Sequence, residues 1–186
     1  MIIAIEGVDA AGKSTLCKNL SFILGGIVYA TPPAHMRKAR NLIDSFASPN
    51  ESLCFYSKGI DEAVKEIKTF AKIHKNIFLD RFWISTAATH LAMKASVNLK
   101  LLAGYNCVDA TILLTVNSTE QACRFSKRGM TTGDRNLLPM FRMVSNLFKK
   151  LTEKYCKYFF VLDTSNLSVD ETTQRVVSYL ATYCKK

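Results

Sequence analysis

The stretch Gly7-Val8-Asp9-Ala10-Ala11-Gly12-Lys13-Ser14-Thr15 constrains this chain more than any other. It follows the apolar run Ile2-Ile3-Ala4-Ile5 and opens a segment whose apolar residues recur at helical spacing. Glycine, four residues, then Gly-Lys-Ser between a strand and a helix is a phosphate-loop pattern in the context that gives it meaning. The terminal glycines let the backbone curl, so that successive N–H groups aim inward at phosphate oxygens. Gly7, Asp9, Ala10, Ala11, Gly12, Lys13, Ser14 and Thr15 are therefore the candidate cradle for a nucleoside triphosphate. Lys13 would reach the β and γ phosphates, and the Ser14 hydroxyl would ligate Mg²⁺.

The rest of the chain supplies alternating strands and helices. Residues 2–6 read as a buried strand and Lys13 to about Leu24 as its helix, which Gly25-Gly26 stops. Ile27–Ala30 is a second strand, ended by Thr31-Pro32-Pro33. Ala34–Phe46 is a basic helix carrying Arg37 and Arg40. Glu51–His74 is a longer helix with Ile60, Val64, Ile67 and Phe70 near one face and an interruption at Gly59. Ile77–Asp80 is a third strand ending on an acid, as a magnesium-side carboxylate would. Residues 82–96 and a shorter piece to about Gly104 read as helices, and Ala110–Val116 as a strand of parallel-sheet type. Asn117 or Ser118 caps a helix that stops at Gly129, with Glu120 or Gln121 as capping partner. A flexible loop, Met130–Asp134, precedes a helix over Arg135–Tyr155. Tyr158–Leu162 is the fifth strand, and Ser168-Val169-Asp170-Glu171 opens the last helix with a capping box.

This alternation predicts a single domain over residues 1–186, a three-layer α/β/α fold around a five-stranded parallel sheet, with a short helical lid at about 124–136. Right-handed crossovers put every strand's C-terminal end on one edge. The loop after strand one and Asp80-Arg81 after strand three then face one crevice.

Composition narrows the class. The chain has 186 residues, 48% of them hydrophobic, enough for a core without staples. No apolar run approaches the length of a membrane helix, and no basic leader precedes the first strand, so a cytoplasmic protein is expected. Cysteines at 17, 54, 107, 123, 156 and 184 show no paired metal spacing, and in a reducing compartment they read as small apolar fillers. His35, His74 and His90 are scattered. The net charge is +10, and Arg124, Lys127, Arg128, Arg135, Arg142, Lys149 and Lys150 face only Asp134 in their stretch. Without a long basic tail, that excess suits a small polyanion such as ATP better than nucleic acid.

Several phosphate chemistries can be weighed. A switch GTPase would carry N-K-x-D after a late strand, and Thr115-Val116-Asn117-Ser118 is not that. Phosphorylating a sugar hydroxyl calls for a carboxylate base, and Tyr29-Ala30-Thr31-Pro32-Pro33 offers none. An acceptor that is already a phosphate needs arginines to hold like charges together. Arg81 and the basic segment 124–135 provide them, which favours nucleoside monophosphate phosphorylation.

The chain is similar to the thymidylate kinases. The likeness rests on Glu6-Gly7-Val8-Asp9-Ala10-Ala11-Gly12-Lys13-Ser14-Thr15 and on Asp80-Arg81-Phe82 followed by Ser85 and Ala88. Leu53-Cys54-Phe55, and Arg124 with Lys127-Arg128-Gly129, fit it less specifically. The resemblance implies transfer of the ATP γ-phosphate to dTMP, giving dTDP and ADP. By it, Asp9 takes the acceptor's 3′-hydroxyl, Arg81 its phosphate with Asp80 near the metal, and Phe55 stacks on its base. Ser85 and Arg37 complete the acceptor side, and Arg124 the ATP side. The family is usually dimeric, and a homodimer would join helices 51–74 and 82–96. Some members carry an arginine where this chain has Ala10, so the transition-state arginine should come from the lid, as Arg128 or Arg135, with Arg124 next. The family's base-reading arginine falls on Gly59, its aromatic and amide positions on Thr89 and His90, and its arginine after the strand-two proline on Ala34 or His35. The acceptor base therefore stays open. A deoxynucleoside kinase or another pyrimidine-nucleotide kinase is one alternative, and a nucleic-acid-binding ATP module is another.

Overall fold

A computed structural model describes residues 1–183. Five strands form one parallel sheet: β1 (Ile2–Gly7), β2 (Ile27–Ala30), β3 (Ile77–Asp80), β4 (Ala110–Thr115) and β5 (Phe159–Asp163), in the order β2-β3-β1-β4-β5. The central strands β1, β3 and β4 are almost wholly buried, as expected of strands covered on both faces. Helices α1 (Lys13–Leu24) and α9 (Val169–Tyr183) pack together on one side. On the other side lie α4 (Trp83–Ala92) and α8 (Phe141–Tyr155), with α3 (Pro49–Phe70) against α4. The layers are the α/β/α arrangement read from the sequence. Trp83, Phe78, Phe82 and Phe148 are the largest fully buried side chains. Among the described residues no helix is long and apolar enough to cross a membrane.

Register brings the site together. Ile5 pairs with Asp80, and Gly7 with Leu114, so β1, β3 and β4 end at the same level. Gly7 has no alternative. A Cβ there would lie 2.1 Å from the Leu114 carbonyl oxygen, and its φ is +138°, a region L side chains avoid.

Local boundaries depart from the sequence reading for identifiable reasons. The basic helix begins as a 3₁₀ turn, Ala34–Met36, and becomes α2 only over Arg37–Phe46. The Thr31–Pro32 peptide before it is cis. The α3 helix starts at Pro49, because Ser48 and Glu51 form a capping box around a proline at the first position. Gly59 does not interrupt it. A Cβ there would sit 2.8 Å from Pro32 Cβ, so the glycine permits close packing of α3 on the loop after β2. The expected loop at 130–134 is largely helical: Thr131 and Asp134 cap each other and start α7, Thr132–Leu137. Pro139 then breaks the expected long helix into a 3₁₀ turn, Leu138–Met140, before α8. The helix predicted over 82–96 splits at Met93, where Lys94 takes a positive φ, and α5 (Leu99–Gly104) follows. Because α4 is sandwiched by α3 and α8, most of its side chains are buried and it offers no broad face to a second copy.

Substituting Gly7→Ala should lower stability by about 1–3 kcal/mol from overpacking alone, read from the urea midpoint. An unchanged midpoint would contradict the Gly7–Leu114 contact.

Candidate functional site

The phosphate loop joins β1 to α1, and it is held from outside. The Asp9 carbonyl accepts from Gln121 Nε2 at 2.9 Å, the Ala10 carbonyl from Arg124 Nη1 at 3.0 Å, and the Ala11 carbonyl from Thr164 Oγ1 at 3.2 Å. Gln121 and Arg124 lie on α6 (Ser118–Arg128), and Thr164 follows β5. With three successive carbonyls pinned away from the cavity, the planar trans peptides turn the intervening amides the other way. Ala10, at φ 61°, accepts the left-handed conformation this curl requires. Lys13 donates from Nζ to the Val8 carbonyl at 2.5 Å. Burial and the neighbouring Arg81 lower its pKa to about 8, against the pull of Asp9, Asp80 and Glu6.

Arg81 stands opposite the loop. Its φ of 71° turns the chain sharply after β3, while its amide donates to Ile5 and its carbonyl accepts from Thr31 Oγ1 at 2.9 Å. The guanidinium donates to the Gly7 carbonyl at 3.3 Å and to Asp9 Oδ1 in a tight ion pair. Burial alone would raise the Asp9 pKa, but Arg81 and then Lys13 outweigh it and hold the carboxyl below its ordinary value.

Glu6 fixes this turn from beneath. It is fully buried, and Oε1 accepts from the amides of Phe82 and Ile84, each at 3.1 Å. Oε2 accepts from Ser85 Oγ. One carboxylate thereby satisfies two of the amides that open α4 and ties them to β1. Burial raises its pKa, opposed by Ser85, Arg81 and those amides.

The loop, the Arg81 turn and residues of α6 and α7 enclose a cavity of about 730 Å³. Its far wall comes from α2, α3 and α4. Arg40 donates from Nε to Asp44 Oδ2 at 3.3 Å, and Tyr56 donates to Asp44 Oδ1 at 2.8 Å. His90 Nδ1 lies 2.7 Å from the Thr86 carbonyl, so Nδ1 is the protonated nitrogen and Nε2 accepts from Ser52 Oγ at 3.0 Å. Burial lowers the His90 pKa, which keeps this ring neutral. Between α6 and α7, buried Asp134 holds Arg128 at 3.0 Å, and the Arg128 guanidinium lies 5.2 Å from the Phe125 ring centroid.

Asp9, Ala10, Ala11, Gly12, Lys13, Ser14, Thr15, Asp80, Arg81, Ser85, Arg124 and Arg128 all line this cavity. Four expected residues do not, Gly7 at the end of β1 among them. Phe55 lies outside, because the inward face of α3 is Ser52, Tyr56 and Ile60, and its ring meets Tyr56 edge-on at 5.4 Å. Extending the period of Ile60, Val64 and Ile67 backwards reaches Tyr56 and Ser52, so the signal was present. Arg37 is exposed in the first turn of α2, and Arg40 takes the cavity side. Arg135 is exposed, since α7 turns Gly133, Asn136 and Leu137 inward. Sequence reasoning also missed the supporting roles of Glu6 and Gln121. The acid at the end of an otherwise apolar strand was a usable sign of the first. Asn117 caps α6 as expected, accepting from the Glu120 amide at 2.8 Å, while Gln121, read only as a candidate capping partner, reaches the phosphate loop instead.

Removing Glu6 tests the support. Glu6→Ala leaves buried donors without acceptors and should cost about 3 kcal/mol or more. Glu6→Gln can accept both amides and donate to Ser85, and should lose much less. Equal urea midpoints for the two variants would sink this assignment.

The family model described as thymidylate kinase matches residues 5–176. Among solved structures, thymidylate kinase from Candida albicans superposes with a TM-score of 0.78 at 23% identity, covering 97% of this chain and 91% of that one. Deoxyadenosine kinase from M. mycoides, with products bound, gives 0.72 at 21% identity, covering 98% and 100%. Thymidylate kinase from Ehrlichia chaffeensis gives 0.70 at 21% identity, covering 97% and 98%. No curated protein matches at a significant level.

Proposed function

This chain belongs to the thymidylate kinase family, and from that premise we propose how its side chains carry the γ-phosphoryl group of ATP to dTMP, giving dTDP and ADP. It is an ATP-dependent phosphotransferase acting on nucleotides. The observation that carries the reading of the site is the Asp9–Arg81 pair, which sets a half-buried guanidinium against the phosphate loop. Such a guanidinium suits an acceptor that arrives already phosphorylated.

In this scheme Lys13 and the loop amides hold the triphosphate, and Arg81 holds the acceptor phosphate. The acceptor oxygen is ionised at neutral pH, so no carboxylate base is needed and the work is positioning and charge neutralisation. Asp9 accepts from the acceptor sugar while orienting Arg81. Arg128, aimed into the cavity by Asp134, is the lid arginine that meets charge developing in transfer. A hydroxyl and a carboxylate, Ser14 and Asp80, both line the cavity. Hard oxygen donors of this kind fit Mg²⁺, which takes few protein ligands beside substrate phosphates; the bound ion would neutralise phosphate charge.

A cytoplasmic location is part of the proposal, supported by Cys17, Cys54, Cys107, Cys123 and Cys156 being unpaired; Cys184 lies outside the described residues. A homodimer is also proposed from the family alone, with α3 as its remaining candidate face.

The deciding experiment is an acceptor screen with ATP and dTMP, dUMP, dCMP, UMP or thymidine. Fastest transfer to dTMP is expected. Transfer to thymidine alone would replace the reading with a deoxynucleoside kinase. Failure with all five, alongside salt-sensitive nucleic-acid binding, would replace it with a binding module.

The lid assignment is tested separately. Arg128→Ala should lower turnover about 10²-fold, as loss of one charge-stabilising donor does, with little change in ATP affinity. Arg135→Ala should leave turnover nearly intact. Similar turnover losses in both variants would remove Arg128 from its role.

A further inference from the structure

A nucleoside monophosphate brings close to two negative charges at neutral pH. Arg81 already shares its charge with Asp9, so the acceptor phosphate needs a second cation. Of the cavity's other cations, Lys13 belongs to the phosphate loop. Arg124 is committed to the Ala10 and Thr164 carbonyls, the Thr164 hydroxyl and Glu120. Arg128 rides on the lid with Asp134. Arg40 remains, on α2 in the cavity wall.

We propose that Arg40 is a second ligand of the acceptor phosphate, acting with Arg81 and held in position by Asp44 and Tyr56. The proposal rests on the acceptor being a nucleoside monophosphate. Arg40 lines the same cavity as Asp9 and Arg81, and its charge is the last of four that hold the Asp9 carboxyl below its ordinary value. It is also pre-organised. Its Nε is tied to Asp44 Oδ2 at 3.3 Å, and its guanidinium carbon lies 5.9 Å from the Tyr56 ring centroid. Tyr56 in turn donates to the other Asp44 oxygen. A guanidinium has five N–H groups, and the bond to Asp44 uses one, so its fork remains for an anion. Asp44 is anchored from the lid side as well, where Asn136 Nδ2 donates to its carbonyl at 2.8 Å. The bracing removes rotamer freedom that an unbraced arginine would lose on binding.

The test separates phosphate from base. The KM for dTMP and the inhibition constant of thymidine, which has the same base and sugar without the phosphate, are measured for the wild-type protein, Arg40→Ala and Arg40→Lys. Arg40→Ala should raise the KM for dTMP by roughly tenfold to a hundredfold, the loss expected for a charge-assisted contact. The thymidine constant and the KM for ATP should stay within about twofold. Arg40→Lys, which keeps the charge without the fork, should fall between. A loss shared equally by dTMP and thymidine would overturn the proposal, as would an unchanged dTMP KM. Melting curves confirm that both variants fold. Wild-type protein that phosphorylates none of dTMP, dUMP, dCMP and UMP overturns the underlying reading. Wild-type transfer with an unaffected Arg40→Ala variant overturns this inference alone.

Discussion

Burying Glu6 beneath the sheet edge puts a charge where desolvation is expensive, and its partners turn that burden into organisation. Its two oxygens take the Phe82 and Ile84 amides and the Ser85 hydroxyl. The strand carrying the phosphate loop is thereby joined to the turn carrying Arg81. Glu6 acts through backbone groups, so it fixes where the α4 helix begins as well as where one side chain points. The strained Arg81 backbone, the Asp9 ion pair and the entrance to α4 all follow from that anchorage. A hydrophobic residue at this position could fill the space but could not satisfy the amides.

The fold was legible because strands buried on both faces leave a plain record. Ile2–Ile5 and Ile77–Leu79 are continuous apolar runs, Ala110–Leu114 is broken only by Thr111, and turn residues bound them. Residues 130–137 were less legible. Met130–Asp134 has the composition of a loop, yet the reciprocal bonds between Thr131 and Asp134 start a helix there. That motif holds an acid where loop composition suggests only solvation. Side-chain direction was harder still. Phe55 and Tyr56 are adjacent aromatics on one helix, and only the phase of α3 against α4 decides which enters the cavity. Gly59 reads as a helix breaker from propensity alone. Packing against Pro32 overrides that small penalty.

The charge of the site follows from pairing. Four arginines line the cavity, and each has an acid of its own: Arg40 with Asp44, Arg81 with Asp9, Arg124 with Glu120 and Arg128 with Asp134. Without those acids the guanidiniums would repel one another and weaken Lys13 further. Lys13 already shows the effect, its pKa falling to about 8 under burial and the charge of Arg81. The net charge of +10 therefore overstates how unbalanced the cavity is.

The four pairs differ in what they permit. Arg124 is bound on several sides, so its charge is fixed and it supports the loop from outside. Arg40 and Arg128 are each held by one carboxylate and remain partly open to solvent. Ion pairs of that kind are individually weak, so an incoming phosphate can share or take over the guanidinium at little penalty. The acid keeps the arginine aimed before the anion arrives, and the anion supplies the stronger partner afterwards. Pre-orientation with a weak partner gives a basic cavity that is ordered alone and still responsive to phosphate. That balance also explains why its acids, Asp9, Asp44 and Asp134, belong in the site as much as its arginines do.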